Sequence, residues 1–215
     1  MGKRAGAVVL ALVALGAAGG YAFGTLRGQE TVTFTDATPI VAVSPSHPVD
    51  PVEVLPDPDF PVLRPGLDVE PARVGTEPFD LSLPVPEEWA QSSPTAGEWR
   101  WYPPPGQVLN THFLRVRLIS NQHQPIAGDV DARLAALRAA DEVRDFTLVS
   151  RTAHGFVAEY VNDGYRRIAM ESYVAAGGSD TAFAWIALVG RESDREGMAD
   201  LFDRVVAGVR APAGS

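Results

Sequence analysis

The sequence predicts an α+β fold: a largely antiparallel β-sheet packed with two helices, preceded by an N-terminal transmembrane helix and a proline-rich linker. Three observations carry that reading. From Phe79 onward, strand-like alternation dominates, and short Gly/Asp-containing links join the later strands, which makes neighbours antiparallel. Two windows in this region switch to helical spacing. Ahead of it lie an apolar run and then a run of prolines, neither of which reads as globular. The expected divisions are an anchor at 1–27, an extended acidic stalk at 28–75 and a globular domain at 76–211.

Lys3 and Arg4 precede an uncharged stretch over 5–26. As a helix it would span about 33 Å at ~1.5 Å per residue, enough for a ~30 Å hydrocarbon core. Val8, Val9, Leu10, Leu12, Val13 and Leu15 are its richest part, and Tyr21 and Phe23 suit the outer interface. The basic pair favours an N-in orientation, with everything after residue 27 outside. The alternative is a cleaved signal peptide with its small-residue site within 14–18. Continuation of the apolar run through 21–26 favours the anchor, and both readings export the protein. Gly16, Gly20 and Gly24 share one helix face, on which two anchors could approach closely. A general abundance of Gly and Ala is the plainer reason for that spacing.

Prolines recur from Pro39 to Pro71, each removing a backbone donor and pushing its predecessor towards extended geometry. A polyproline-like stalk follows. Val52, Val54, Leu55, Phe60, Val62 and Leu63 are more apolar than a spacer requires. Either part of 52–67 lies along the domain as a strap, or Phe60 and its neighbours form a linear motif; spacer and strap are the commoner arrangements.

In the domain, Phe79, Leu81, Leu83 and Val85 alternate with polar residues and proline. Strands follow at 98–102, which holds Trp99 and Trp101, and at 113–119, where Leu114, Val116 and Leu118 oppose Arg115 and Arg117. Val130, Leu134, Leu137 and Ala140 then take helical spacing, with Asp129 or Asp131 as the expected cap. Strands resume at 146–153 and 156–161 around a turn at His154 and Gly155. Asp163 and Gly164 give the strongest hairpin signal, leading into 165–175. A strand at 181–190 comes next. Ser193 and Glu196 form a capping box before Met198, Leu201, Phe202, Val205, Val206 and Val209, an apolar helical stripe.

This order, with Phe79, Leu81, Leu83 and Pro84 followed by Trp89, the long hairpins and the terminal helix, resembles the PsbP proteins of photosystem II over residues 78–210. It also resembles actinobacterial cell-envelope relatives such as the LpqN-like lipoproteins. The chain departs from the lipoproteins in having no cysteine to acylate. The resemblance implies an accessory or binding module and no enzyme chemistry. The near-exclusive use of arginine, with Lys3 the sole lysine, resembles the composition of a high-GC actinobacterium.

The net charge of -9 lies in the stalk and domain, so no segment is a basic nucleic-acid footprint. With no cysteine, thiol nucleophiles, thiolate zinc sites and disulfides are excluded. His47, His112, His123 and His154 lack metal-ligand spacing, and neither a nucleophile elbow nor a phosphate-cradling glycine loop is present. No cofactor is expected. The candidate binding face combines Arg115, Arg117 and Arg167, alongside Glu159 and Glu171, with an aromatic cluster of Trp89, Trp99, Trp101 and Tyr102 near the domain start. Cross-strand ion pairing and core packing are the plain readings of these residues; an arginine-lined groove for an anionic envelope component is the sharper one. The sequence thus predicts a non-enzymatic, membrane-anchored extracytoplasmic module of the cell envelope. Its partners would be the bilayer, through residues 1–27, and an envelope protein or component. The alternative is a hydrolase built on His112 or His154 with a nearby carboxylate.

Overall fold

The computed structural model describes residues 51–104, 112–119 and 124–211. The expected anchor with Gly16, Gly20 and Gly24, the first part of the stalk, His47 and His123 lie outside them. Among the described residues, no helix is long and apolar enough to cross a membrane.

The strands are β1 (Val69–Thr76), β2 (Phe79–Pro86), β3 (Ala90–Thr95), β4 (Glu98–Tyr102), β5 (Phe113–Leu118), β6 (Val143–Arg151), β7 (Gly155–Asn162), β8 (Tyr165–Ala175) and β9 (Ala182–Gly190). Helix α1 (Ile126–Ala139) follows β5, and α2 (Arg195–Gly208) closes the domain. β3 to β9 form one antiparallel sheet in the order β3-β4-β5-β9-β8-β7-β6, while β1 and β2 pair as a separate hairpin. Short links make β6 to β9 a meander; the longer passage through α1 sends the chain from β5 to the far edge at β6. Asp163 (φ 51°) and Gly164 (φ 81°) make the two-residue turn between β7 and β8, because both positions need left-handed backbone.

Strand alternation divides the sheet into two buried faces. On one, Leu114, Val116, Ile168, Met170, Ile186 and Leu188 meet Met198, Leu201 and Val205 of α2 and Leu81, Leu83 and Val85 of β2. On the other, Phe156, Ala158, Tyr173, Trp185 and Ala187 meet Ile126, Val130, Leu134 and Leu137 of α1. Each fully buried leucine or valine contributes about 1.5–3 kcal/mol relative to exposure. The two helices therefore fasten opposite faces of one sheet.

Two expected helix caps do not form, and at the first helix the candidate carboxylates are engaged elsewhere, Asp129 with Gln124 and Asp131 with Arg151. No side chain caps α1, which begins at Ile126 after Pro125 and so places Asp129 inside its first turn. At α2, Ser193 and Glu196 do not form the box. A 3₁₀ turn (Glu192–Asp194) leads in, and the Asp194 carboxylate turns back to Arg191.

The boundary at 75/76 also fails, because it cuts through β1. Prolines do not exclude that strand: it is paired on one side only, and Pro71 lies opposite Pro84. Residues ahead of β1 belong to the domain as well. Leu63 is buried in the α2-side core. The Leu55 amide donates to the Gly164 carbonyl at 2.8 Å. Gly197 lies so close to Leu63 that a Cβ there would sit 2.2 Å from the Leu63 carbonyl oxygen.

A buried ion pair fastens this strap. Asp194 is 0% exposed; its oxygens accept from Arg191 Nε at 2.7 Å, Arg191 Nη2 at 2.8 Å and the Leu63 amide at 2.9 Å. The same guanidinium donates to the carbonyls of Pro58, Phe60 and Pro61 at 3.3, 3.2 and 3.0 Å. A proline-rich strap leaves carbonyls without internal partners, and Arg191 collects three of them. Burial opposes the charge on Asp194, but the bonds from Arg191, His112 and Leu63 outweigh it and hold the carboxyl well below its usual range.

Two outcomes follow from this packing. Val205→Asp, which buries an unpaired charge under α2, should cost about 3–5 kcal/mol in urea unfolding; an unchanged midpoint would refute the buried face. For Asp194, a depressed folded-state pKa means that its contribution is full above the ordinary carboxylate range near ~4 and is lost as pH falls through the native value. Asp194→Ala should therefore lower stability by about 3–5 kcal/mol at neutral pH. It should also flatten the acid side of the stability–pH curve and open the 51–62 strap to limited proteolysis. An acid limb as steep as the wild type's would contradict this.

Candidate functional site

The α1 helix covers only part of its face of the sheet, and the uncovered part is a groove of about 550 Å³. Alternation on the central strands lines its floor. Phe113 and Arg115 come from β5, Trp185, Ala187 and Val189 from β9, Tyr165, Arg167 and Glu171 from β8, and Tyr160 and Asn162 from β7. Arg133, Ala136 and Leu137 of α1, with Ala140 just after it, form one wall. A contiguous recess of about 410 Å³ shares Arg115, Arg133 and Trp185 and adds Arg117, Asp129, Tyr173, Leu118 and Ile119.

Glu171 is the electrostatic centre. It is 2% exposed on a central strand, where a bare carboxylate would be costly. Arg133 reaches down from α1 and binds it with both arms, Nε to Oε2 at 2.9 Å and Nη2 to Oε1 at 3.0 Å. Trp185 Nε1 donates to Oε2 at 2.8 Å. Burial opposes the charge on Arg133, but the Glu171 bonds and charge prevail and raise its pKa above the ordinary value. Burial, followed by the Glu171 charge, pushes the Tyr173 hydroxyl up to about 12 and raises that of Tyr160 as well. Both phenols stay protonated at neutral pH and can donate.

A second cluster extends the row towards β4. Glu98 accepts from Arg115 Nη2 at 2.6 Å and Arg100 Nε at 2.8 Å. Burial works against its charge, but these two arginines hold its pKa below the usual value. The Arg115 and Arg133 guanidinium carbons lie 4.8 and 5.2 Å from the Trp185 ring centroid, within cation–π range. At the other end of the groove, Arg167 is paired with Asp57 of the strap at 2.7 Å and lies 4.9 Å from the Tyr165 ring centroid.

The structure places Arg115, Arg117 and Arg167 on the same face of the sheet, in the groove and its recess. Tyr102 lies at the edge of that face, its ring 5.8 Å from that of Phe113. Trp99 and Trp101 alternate to the opposite face, where Trp101 is 2% exposed in the α2-side core. Glu159 alternates to that face too, pairing with Arg195 at the start of α2. His112 is 4% exposed, 3.6 Å from Asp194 and stacked at 5.4 Å on Trp89, so it belongs to the strap clasp. His154 is exposed in the β6–β7 turn. Among the described residues, no group of His, Asp and Glu is placed to hold a metal ion.

Sequence reasoning missed Arg133, Trp185, Tyr160 and Tyr173. The available signal was Glu171 itself, a carboxylate on a strand with neighbours on both sides, facing the sheet surface that α1 covers through Ile126, Val130, Leu134 and Leu137.

No protein-family model matches the chain, and no curated protein matches it. Solved structures similar to the chain include the following two. The solution structure of cyanobacterial PsbP (CyanoP) from Synechocystis sp. PCC 6803 aligns with a TM-score of 0.40 at 12% identity, covering 66% of this chain and 92% of that one. A crystal structure from Bacteroides thetaiotaomicron aligns with a TM-score of 0.39 at 14% identity, covering 61% of this chain. The chain spans 44% of the length of that Bacteroides protein.

Proposed function

We propose that this protein is a non-enzymatic accessory module of the bacterial cell envelope, held at the membrane by residues 1–27 and facing away from the cytoplasm. On this reading the groove between α1 and the sheet receives an envelope component. One observation carries the reading. The groove is open, its floor sets aromatic and apolar side chains among polar ones, and arginines from three elements of the fold line it, in a chain of net charge -9. Pockets that bind combine an apolar lining with a few placed polar groups. At His112, the neighbouring carboxylate Asp194 is already bonded to Arg191 and Leu63, which favours a structural role for that pair over a hydrolase built on it. Lys3, Arg4 and the apolar run over 5–26 support the anchored, outward-facing placement. The arginine-rich composition and the likeness to LpqN-like lipoproteins support an actinobacterial envelope as the setting.

The test fills the groove without touching the core. Ala136 is exposed on α1 and lines the wall, so Ala136→Trp adds bulk where a ligand would lie. In a deletion strain it should fail to complement while its unfolding curve stays within about 0.5 kcal/mol of wild type, as expected for a surface substitution. Ser92→Trp on the polar edge strand β3 should complement fully. Full complementation by Ala136→Trp, or equal failure of both, would remove the groove from the account.

A further inference from the structure

We propose that the recess lined by Arg115, Arg117, Arg133 and Tyr173 is an anion subsite for a phosphate-type group carried by the groove's ligand. This rests on the groove reading above and adds the chemistry of the ligand.

Of the three guanidinium groups that line the recess, two are paired, Arg115 with Glu98 and Arg133 with Glu171. One carboxylate, Asp129, lines it as well and accepts from Gln124 Nε2 at 2.6 Å. Structural pairing spends only part of the arginines' hydrogen-bonding capacity. Arg133 uses Nε and Nη2 on Glu171, which leaves Nη1. Arg115 uses Nη2 on Glu98, and its buried Nε has no hydrogen-bond partner. Arg117 makes no ion pair with another described residue. It stands two residues along β5 from Arg115, on the same face and opposite Trp185 in the ladder. The Tyr173 hydroxyl, on β8 beyond β9 and opposite Trp185, remains a donor.

Donors from β5, β8 and α1 thus border one recess from different sides. A planar carboxylate is satisfied by a single arginine fork, whereas a tetrahedral dianion can accept from several groups at once. The recess opens into the groove through the shared Arg115, Arg133 and Trp185. A phosphate seated there would leave the rest of its carrier along the groove floor. A phospholipid headgroup and a soluble phosphate monoester share this chemistry.

Calorimetric titration of the full chain in neutral detergent tests the assignment, with inorganic phosphate, glycerol 3-phosphate, short-chain phosphatidic acid and acetate as probes. The phosphate compounds should bind saturably, more weakly as salt rises. Arg117→Ala, which removes no structural pair, should weaken them by tenfold or more, while Arg151→Ala on β6 leaves them unchanged. Tighter binding of phosphatidic acid than of glycerol 3-phosphate assigns a lipid source; equal binding assigns a soluble one. No saturation by about 10 mM, a range that already includes very weak binding, would overturn the subsite. So would acetate binding as tightly as phosphate, or Arg117→Ala binding as wild type does. Loss of complementation in Ala136→Trp alongside any of these results would leave the groove reading standing and remove only the phosphate assignment.

Discussion

The buried carboxylate of Glu171 is the constraint on which the groove depends. A charge placed in the middle of a seven-stranded sheet has to be neutralised where it stands. The partner comes from α1: Arg133 extends to the sheet and grips Glu171 with two bonds, and the Trp185 indole completes the set. Apolar contacts from Ile126, Val130, Leu134 and Leu137 hold the helix to the sheet, and a backbone bond from Ile126 to Asp180 ties its start. The ion pair adds a directional contact at the middle of the helix. Beyond it the sheet floor is left uncovered, and a row of arginines and aromatic rings lies open on one side of α1.

A second buried pair organises the opposite side of the domain. Arg191 and Asp194 sit where β9 gives way to α2, and together they bind backbone groups of a strap more than a hundred residues earlier in the chain. The strap then continues past the β7–β8 turn, and its Asp57 pairs with Arg167 at the groove's rim. The segment leading in from the N-terminal region is therefore in contact both with the core and with the candidate site. Charged pairs, the buried Leu63 and the Leu55–Gly164 backbone bond together tie the strap to the domain in a chain without disulfides.

Much of this architecture was legible in the sequence where a local rule coincides with tertiary demand. Asp163 and Gly164 specify their turn because the backbone there requires positive φ. Met198, Leu201 and Val205 mark α2 because one face meets the core. The strand β1 was not legible, since Pro71 argues against a ladder unless it is known to be paired on one side only. The strap was legible only as an alternative, because apolar residues among prolines do not reveal that Arg191 will collect their carbonyls. In the candidate site, the sequence reading grouped Arg115, Arg117 and Arg167 with Trp99 and Trp101. The three arginines share one face of the sheet, but the two tryptophans alternate to the other, since β4 pairs Trp101 with Leu114. Arg133 was out of reach: a helical arginine reads as solvated until the fold brings it over Glu171.

The central claim is that the Arg133–Glu171 pair sets α1 over the sheet and thereby shapes the groove. A double-mutant cycle on unfolding free energy, using Arg133→Ala, Glu171→Ala and the combined variant, measures it most directly. The account predicts strong coupling, about 1–3 kcal/mol, because each single change strands a buried charge or leaves a guanidinium without its partner, while the double change removes both. Additive effects within about 0.3 kcal/mol would contradict it and make α1 a helix held by apolar contacts alone.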